Sequence, residues 1–221
     1  KMSTGSTSNA SLVSPNMVTT RVLNTSVRTV SEELPQLVGT QQQQQLATTR
    51  LILLHVGVAT KATRMRLERY AYNSMQFDMA DCDGYLPNND DKVVVVKDLP
   101  HGAVLETNLN VKDIVKELQW LEPSIDPGRY VCNYTYCFSL HCFQNNNNKK
   151  HQSTSTTESS SSTTAATESS SSLSTGETSS TTSSLFLHIP PFDAIPKEEQ
   201  MNMLLDLLDV IYKQVVSIVV Q

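Results

Sequence analysis

The stretch Asp126-Pro127-Gly128-Arg129-Tyr130-Val131-Cys132-Asn133-Tyr134-Thr135-Tyr136 decides how this chain is read. Pro127-Gly128 is a turn dipeptide and a poor helix interior. From Cys132 to Phe143 the chain is nearly free of breakers, and Tyr134, Tyr136, Cys137, Phe138, Leu140 and Phe143 leave little of the circumference polar. That pattern predicts a short buried helix entered abruptly from a turn. Cys132 then falls in the first helical turn, where unpaired backbone N–H groups and the positive end of the dipole favour a thiolate. The thiolate is the reactive form of cysteine, so Cys132 is the candidate nucleophile. The plain alternative is a small side chain that fills space.

A second segment raises the first reading. In Ser184-Leu185-Phe186-Leu187-His188-Ile189-Pro190-Pro191-Phe192, Leu185 to Ile189 is a short apolar strand stopped by two prolines that cannot continue a ladder. His188 sits at its end, where side chains meet a cleft in open α/β sheets. A cysteine at a helix start and a histidine at a strand end are the parts of a thiol hydrolase.

Gly128-Arg129-Tyr130-Val131-Cys132-Asn133-Tyr134-Thr135-Tyr136, followed by Leu185-Phe186-Leu187-His188-Ile189-Pro190-Pro191, resembles the Cys and His motifs of pyroglutamyl-peptidase I. That family of intracellular cysteine peptidases removes an N-terminal pyroglutamyl residue from peptides. Ile52-Leu53-Leu54-His55-Val56-Gly57-Val58 resembles the strand that precedes its catalytic glutamate, and Leu67-Glu68-Arg69-Tyr70-Ala71-Tyr72-Asn73 the segment that carries it. Leu105-Glu106-Thr107-Asn108-Leu109 and the helix after it also fit, and the resemblance covers residues 9–143 and 185–221.

The resemblance implies a three-layer α/β/α fold with a mixed central sheet, in a single domain over residues 1–221. It also implies a catalytic set of Glu68, Cys132 and His188, in the family's order. Tyr130 and Val131 would line the substrate wall. The substrates would be N-terminally pyroglutamylated peptides, with no cofactor and no metal. The family opens with a buried strand and a Gly-Phe-rich loop that supplies aromatic walls for the pyroglutamyl ring, then an Asn-Pro-Ser turn. Residues 1–20 are polar and carry neither strand nor loop; Asn9-Ala10-Ser11 stands where the turn would be. Two alternatives follow: an inactive family member or binding scaffold, or a thiol hydrolase of another amide.

Composition narrows the class. A chain of 221 residues with formal charge −5 and 38% hydrophobic content suits one domain. The mildly acidic balance argues against nucleic acid as the main partner. No apolar run approaches the ~20 residues of a membrane span. The start, Lys1-Met2-Ser3-Thr4-Gly5, lacks the apolar core of a signal peptide. Four cysteines without a regular framework suggest a reducing compartment, and the expected location is the cytoplasm.

The remaining segments give further expectations. Arg21 to Val27 reads as a short strand, and Ser31-Glu32-Glu33-Leu34 as the capped start of a helix. The glutamine run 41–45 is a surface expansion. Arg50 to Val58 is a central strand buried on both faces, with His55 inside it as a satisfied core histidine or, alternatively, a catalytic one. Arg64 to Asn73 alternates, with Met65, Leu67 and Ala71 opposed to Glu68, Tyr70 and Tyr72, which predicts a strand. Read as a helix, it would instead make Arg64–Glu68 a surface ion pair. Val93 to Val96 is a β-branched strand. Asn110 caps a helix that buries Ile114, Val115, Leu118 and Leu121 and ends before Pro123.

Residues 144–184 are almost all Ser, Thr, Asn, Glu and Lys, and disorder is expected. The helix starts at Cys132 and runs away from the cleft, and the strand to His188 climbs back. The insert is therefore expected on the face opposite the active site. Pro196 to Val220 is a last helix whose stripe of Met203, Leu204, Leu207, Leu208, Ile211, Val215 and Ile218 packs on the sheet, with homo-oligomer formation as the alternative.

Metal sites are not expected. The loops Asp81-Cys82-Asp83-Gly84 and Pro87-Asn88-Asn89-Asp90-Asp91 lack the spaced ligands of a calcium loop. Cys132, Cys137 and Cys142 recur every five residues, about 140° apart on an α-helix, so they diverge. His141 lies about 13 Å along that helix from Cys132, too far to act as its base. His101, in a loop, stays open as one.

Overall fold

The computed structural model describes residues 18–44, 50–88, 91–144 and 182–217. Strands β1 (Leu51–Val58) and β6 (Thr182–Ile189) run parallel, with Gly57 opposite His188. Strand β2 (Met65–Glu68) runs antiparallel to β6 on its other side, placing Arg66 opposite His188 and Glu68 opposite Phe186. Strand β5 (Leu121–Ser124) pairs parallel to β2, giving the order β1-β6-β2-β5. The sheet is mixed, as expected. Strands β3 (Tyr70–Tyr72) and β4 (Val104–Glu106) form a separate antiparallel pair.

Helices cover both faces. On one, α2 (Val111–Glu117) and α4 (Lys197–Ser217) pack Ile114, Leu207 and Ile211 against Met65, Leu67, Leu185 and Leu187. On the other, α1 (Val27–Gln44) packs Val30, Leu34 and Val38 against Val131 and Tyr134 of α3 (Val131–Ser139), beside Leu51 and Leu53 of β1. Strand side chains alternate between faces, so Leu185 and Leu187 face α2 and α4 while Phe186 joins the cluster of α3 residues Tyr136 and Cys137. The result is the three-layer α/β/α arrangement.

Several expectations are corrected. Helix α1 starts at Val27, with Ser26 Oγ accepting from Thr29 N–H at 3.0 Å and Asp81 Oδ2 from Val27 N–H at 2.8 Å. This start is fixed partly by a carboxylate 54 positions away, so the Ser31 signal is interior. Arg21 to Val27 is not a strand: Arg21 to Asn24 forms no regular element and Val27 opens the helix, while the glutamine run is helical through Gln44. Val93 to Val96 is not a strand either. Buried Asn73 satisfies this segment's backbone instead: its Oδ1 accepts from Val96 N–H at 2.8 Å, and its Nδ2 donates to the carbonyls of Val96, Leu99 and Pro100 at 2.8–3.0 Å. Strand β1 is not central. Among the described residues it pairs only with β6, and Val56 and Val58 are 46% and 53% exposed.

Strand β5 went unread because it contains Pro123, which an edge strand tolerates. Strand β6 begins inside the stretch expected to be disordered, since Thr182, Ser183 and Ser184 pair with Leu51, Ile52 and Leu53. The rest of the insert, 145–181, and residues 1–17 lie outside the described residues. Gln144 and Thr182, which flank the insert, stand at the ends of their elements remote from Cys132 and His188. Helix α3 passes at Leu140 into a π-helical turn, Leu140–Gln144, so the α-helical angle computed for Cys142 does not hold. Among the described residues no group of three or more His, Cys, Asp or Glu could hold a metal. None of their helices is long and apolar enough to cross a membrane.

Candidate active site

Three segments converge at the end of β6. His188 is the penultimate residue of the strand and is 7% exposed. Because β2 runs antiparallel to β6, Glu68 opposite Phe186 lies diagonally across from His188, within reach of a long side chain. His188 Nδ1 and Glu68 Oε1 are 2.7 Å apart, and Glu68 is 1% exposed. Glu68 is therefore not the surface partner of Arg64, which instead bonds Glu122 at 2.9 Å. Glu68 Oε2 is buried with no hydrogen-bond partner among the described residues, so the carboxylate directs its interaction to the imidazole alone.

Cys132 reaches the same place from α3. Gly128 takes φ +79°, a left-handed conformation that glycine adopts freely, and turns the chain into the helix. Tyr130 is the extended N-cap residue and makes no side-chain capping bond, so Cys132 is the second helical residue. Buried Asn133 anchors this turn: its Oδ1 accepts from Tyr72 N–H at 2.8 Å, and its Nδ2 donates to the carbonyls of Tyr72 and Ser74 at 2.9 and 3.0 Å. The Cys132 side chain lies near enough to the His188 ring to act on its charge. Gly57 makes room for it; a Cβ there would lie 3.1 Å from Cys132 Sγ and 2.9 Å from Phe186 Cζ.

Burial by itself lowers the His188 pKa. The bonds to Cys132 and Glu68 and their negative charges outweigh it, and the pKa is raised to about 9. The site thus favours an imidazolium beside the Glu68 carboxylate and the Cys132 sulfur.

Of the other sequence candidates, Tyr130 has its phenol pKa raised by burial first, then by the charges of Cys82, Asp81 and, last, Cys132. Its hydroxyl donates to the Ala80 carbonyl at 3.1 Å, and its ring meets Phe77 edge-on at 4.7 Å. The Val131 side chain is buried in the core, so it can offer a ligand only its backbone. His55 does not join the site; its Nε2 contacts Ser139 Oγ at 2.9 Å, and burial lowers its pKa to about 4. His141 bonds Asp98 at 3.0 Å beyond the far end of α3, and His101 is exposed in a turn. Burial pushes Cys137 up to about 12. Sequence reasoning missed the supports Asn73, Asn133 and Gly57. The adjacency of Asn133 to Cys132 was the one visible signal.

The fold has solved counterparts. A mutant pyrrolidone carboxyl peptidase from the hyperthermophile Pyrococcus furiosus aligns with 19% identity over 88% of this chain and 81% of its own, at TM-score 0.59. The pyrrolidone carboxyl peptidase from Thermococcus litoralis aligns with 19% identity over 86% and 75%, at TM-score 0.57. The one from Fervidobacterium islandicum AW-1 aligns with 22% identity over 76% of this chain at TM-score 0.49, and the chain spans 62% of its length. No family model matches the sequence, and no curated protein does. The chain has the fold of pyrrolidone carboxyl peptidases, in agreement with the resemblance carried by the motifs.

Proposed function

We propose that this chain is a cysteine omega-peptidase that removes N-terminal pyroglutamate, the cyclic 5-oxoproline, from peptides. The observation that carries the reading is the convergence of the Glu68–His188 pair and Cys132 at the start of α3. In this reading the Cys132 thiolate attacks the carbonyl carbon joining pyroglutamate to the next residue. His188, as imidazolium, gives its proton to the leaving amine, and a thioester remains. Neutral His188 then takes a proton from water, whose oxygen attacks the thioester. Pyroglutamate leaves and the thiol is restored.

Glu68 holds the ring with Nδ1 protonated and stabilises its charged form, which leaves Nε2 toward the sulfur. The uncapped amides at the start of α3 are the oxyanion donors, each worth on the order of 3 kcal/mol in comparable sites. Tyr130 borders the substrate, beside backbone offered by Val131. A lactam is neutral and requires no buried counter-charge, whereas an unblocked N-terminal glutamine carries an ammonium that is costly to bury.

The test is hydrolysis of a fluorogenic pyroglutamyl amide. Turnover that Cys132→Ala abolishes, with unblocked glutaminyl amide left intact, is the expected result. No turnover by the intact chain, or equal cleavage of the unblocked amide, would overturn the reading.

A further inference from the structure

We propose that Tyr136 is a positioning residue whose buried hydroxyl and ring together tie the three segments that carry Glu68, Cys132 and His188; this rests on the function proposed above. Tyr136 lies one helical turn beyond Cys132 on the same face of α3. It is fully buried, and Cys132 packs against the same cluster. Its hydroxyl donates to the main-chain carbonyl of Glu68 at 3.0 Å, joining the helix of the thiol to the strand of the carboxylate.

The ring completes the tie. Tyr136 packs on Phe186 with centroids 5.9 Å apart, and Phe186 packs on His188 at 4.8 Å. Tyr136 touches none of the reacting atoms; it acts by setting the distance between α3 and β2. A buried hydroxyl with satisfied partners restricts the packing of its neighbours more tightly than an apolar contact, because it is directional. Burial also holds the phenol neutral by raising its pKa, so the hydroxyl keeps its proton throughout the working range.

The test is Tyr136→Phe, which keeps the ring and deletes the hydroxyl, with Phe186→Leu removing the ring through which Tyr136 reaches β6. Two readouts are needed. The first is steady-state hydrolysis of the pyroglutamyl amide, where kcat is expected to fall about tenfold or more with KM within about twofold, as for a misplaced reacting pair. The second is the pH profile of iodoacetamide alkylation at Cys132, followed by mass spectrometry of that site because Cys82 is exposed. The inflection expected near the His188 pKa of about 9 should move to lower pH in both variants as the thiol–imidazole–carboxylate string loosens.

Alkylation does not depend on the substrate. If the intact chain cleaves no pyroglutamyl amide, the shift still decides the role of Tyr136. If Tyr136→Phe does not fold, Phe186→Leu decides it. An unmoved inflection and unchanged kcat, with only a lower Tm, would overturn the proposal and leave Tyr136 a core residue.

Discussion

Two histidines occupy neighbouring strands on the same face of one sheet, and both pack on Phe186: His55 at 6.2 Å and His188 at 4.8 Å between ring centroids. Their chemistry is opposite. His55 meets a hydroxyl, Ser139, which continues to Ser184 Oγ at 2.8 Å; with no charge to offset burial, its pKa falls to about 4. His188 meets a carboxylate and a thiol and rises to about 9 in spite of burial. The comparison teaches that a buried imidazole becomes an acid–base group or an inert hydrogen-bonding core residue according to its partners.

The strongest way to break this contrast is Glu68→Gln. Removing the charge while keeping the shape should reduce kcat on a pyroglutamyl amide by on the order of 10³–10⁴, as for the carboxylate of other triads. It should also carry the alkaline inflection of Cys132 alkylation below about 9. A variant that keeps its inflection would show that the carboxylate is not what separates the two histidines.

A smaller effect lies in stability against pH, where the two rings should produce opposite slopes. The folded pKa of His188 is raised from 6.5 to about 9, so its contribution is full below about 6.5 and is lost as pH rises through about 9. That of His55 is lowered from 6.5 to about 4, so its contribution is full above about 6.5 and is lost as pH falls toward 4. Denaturant titrations across this range should show the acid slope flattened in His55→Asn and the alkaline slope flattened in His188→Asn. Unchanged slopes would refute the assignments.

The smallest effect belongs to Ser139→Ala. It removes the hydroxyl partner of His55 and should lower stability by about 1–2 kcal/mol by chemical denaturation, leaving kcat within about twofold. A large loss of activity would mean that the two regions are coupled.

How much of this was legible in the sequence depended on whether the deciding interaction was local. The turn at Pro127-Gly128, the helix carrying Cys132 and the strand ending at His188 follow from breakers and apolar runs over a few residues, and all three form. Asn110 caps its helix by accepting from Asp113 N–H at 3.3 Å, again locally. What was misread was fixed from afar. Asp81 sets the start of α1, and Asn73 replaces a strand ladder at Val96. The side chain that pins Cys132's turn, Asn133, works through residues about 60 positions away. At the site, Cys132 and His188 were read from their own segments, whereas Glu68 came from the resemblance. The 1% exposure of Glu68 could not come from its own segment, where alternation and an Arg64 ion pair were both tenable.

The reversed direction of β2 has one more consequence. Were it parallel to β6, its last residue would emerge at the open rim beside the imidazole. Running the other way, it delivers Glu68 opposite Phe186, one step behind the rim. The three groups are thereby graded in wetness, from a dry anion at the back, through the nearly enclosed ring, to a half-covered sulfur at the front. In the proposed reaction a substrate would meet the sulfur first, while the buried carboxylate that steadies the ring stays away from bulk ions that would screen it.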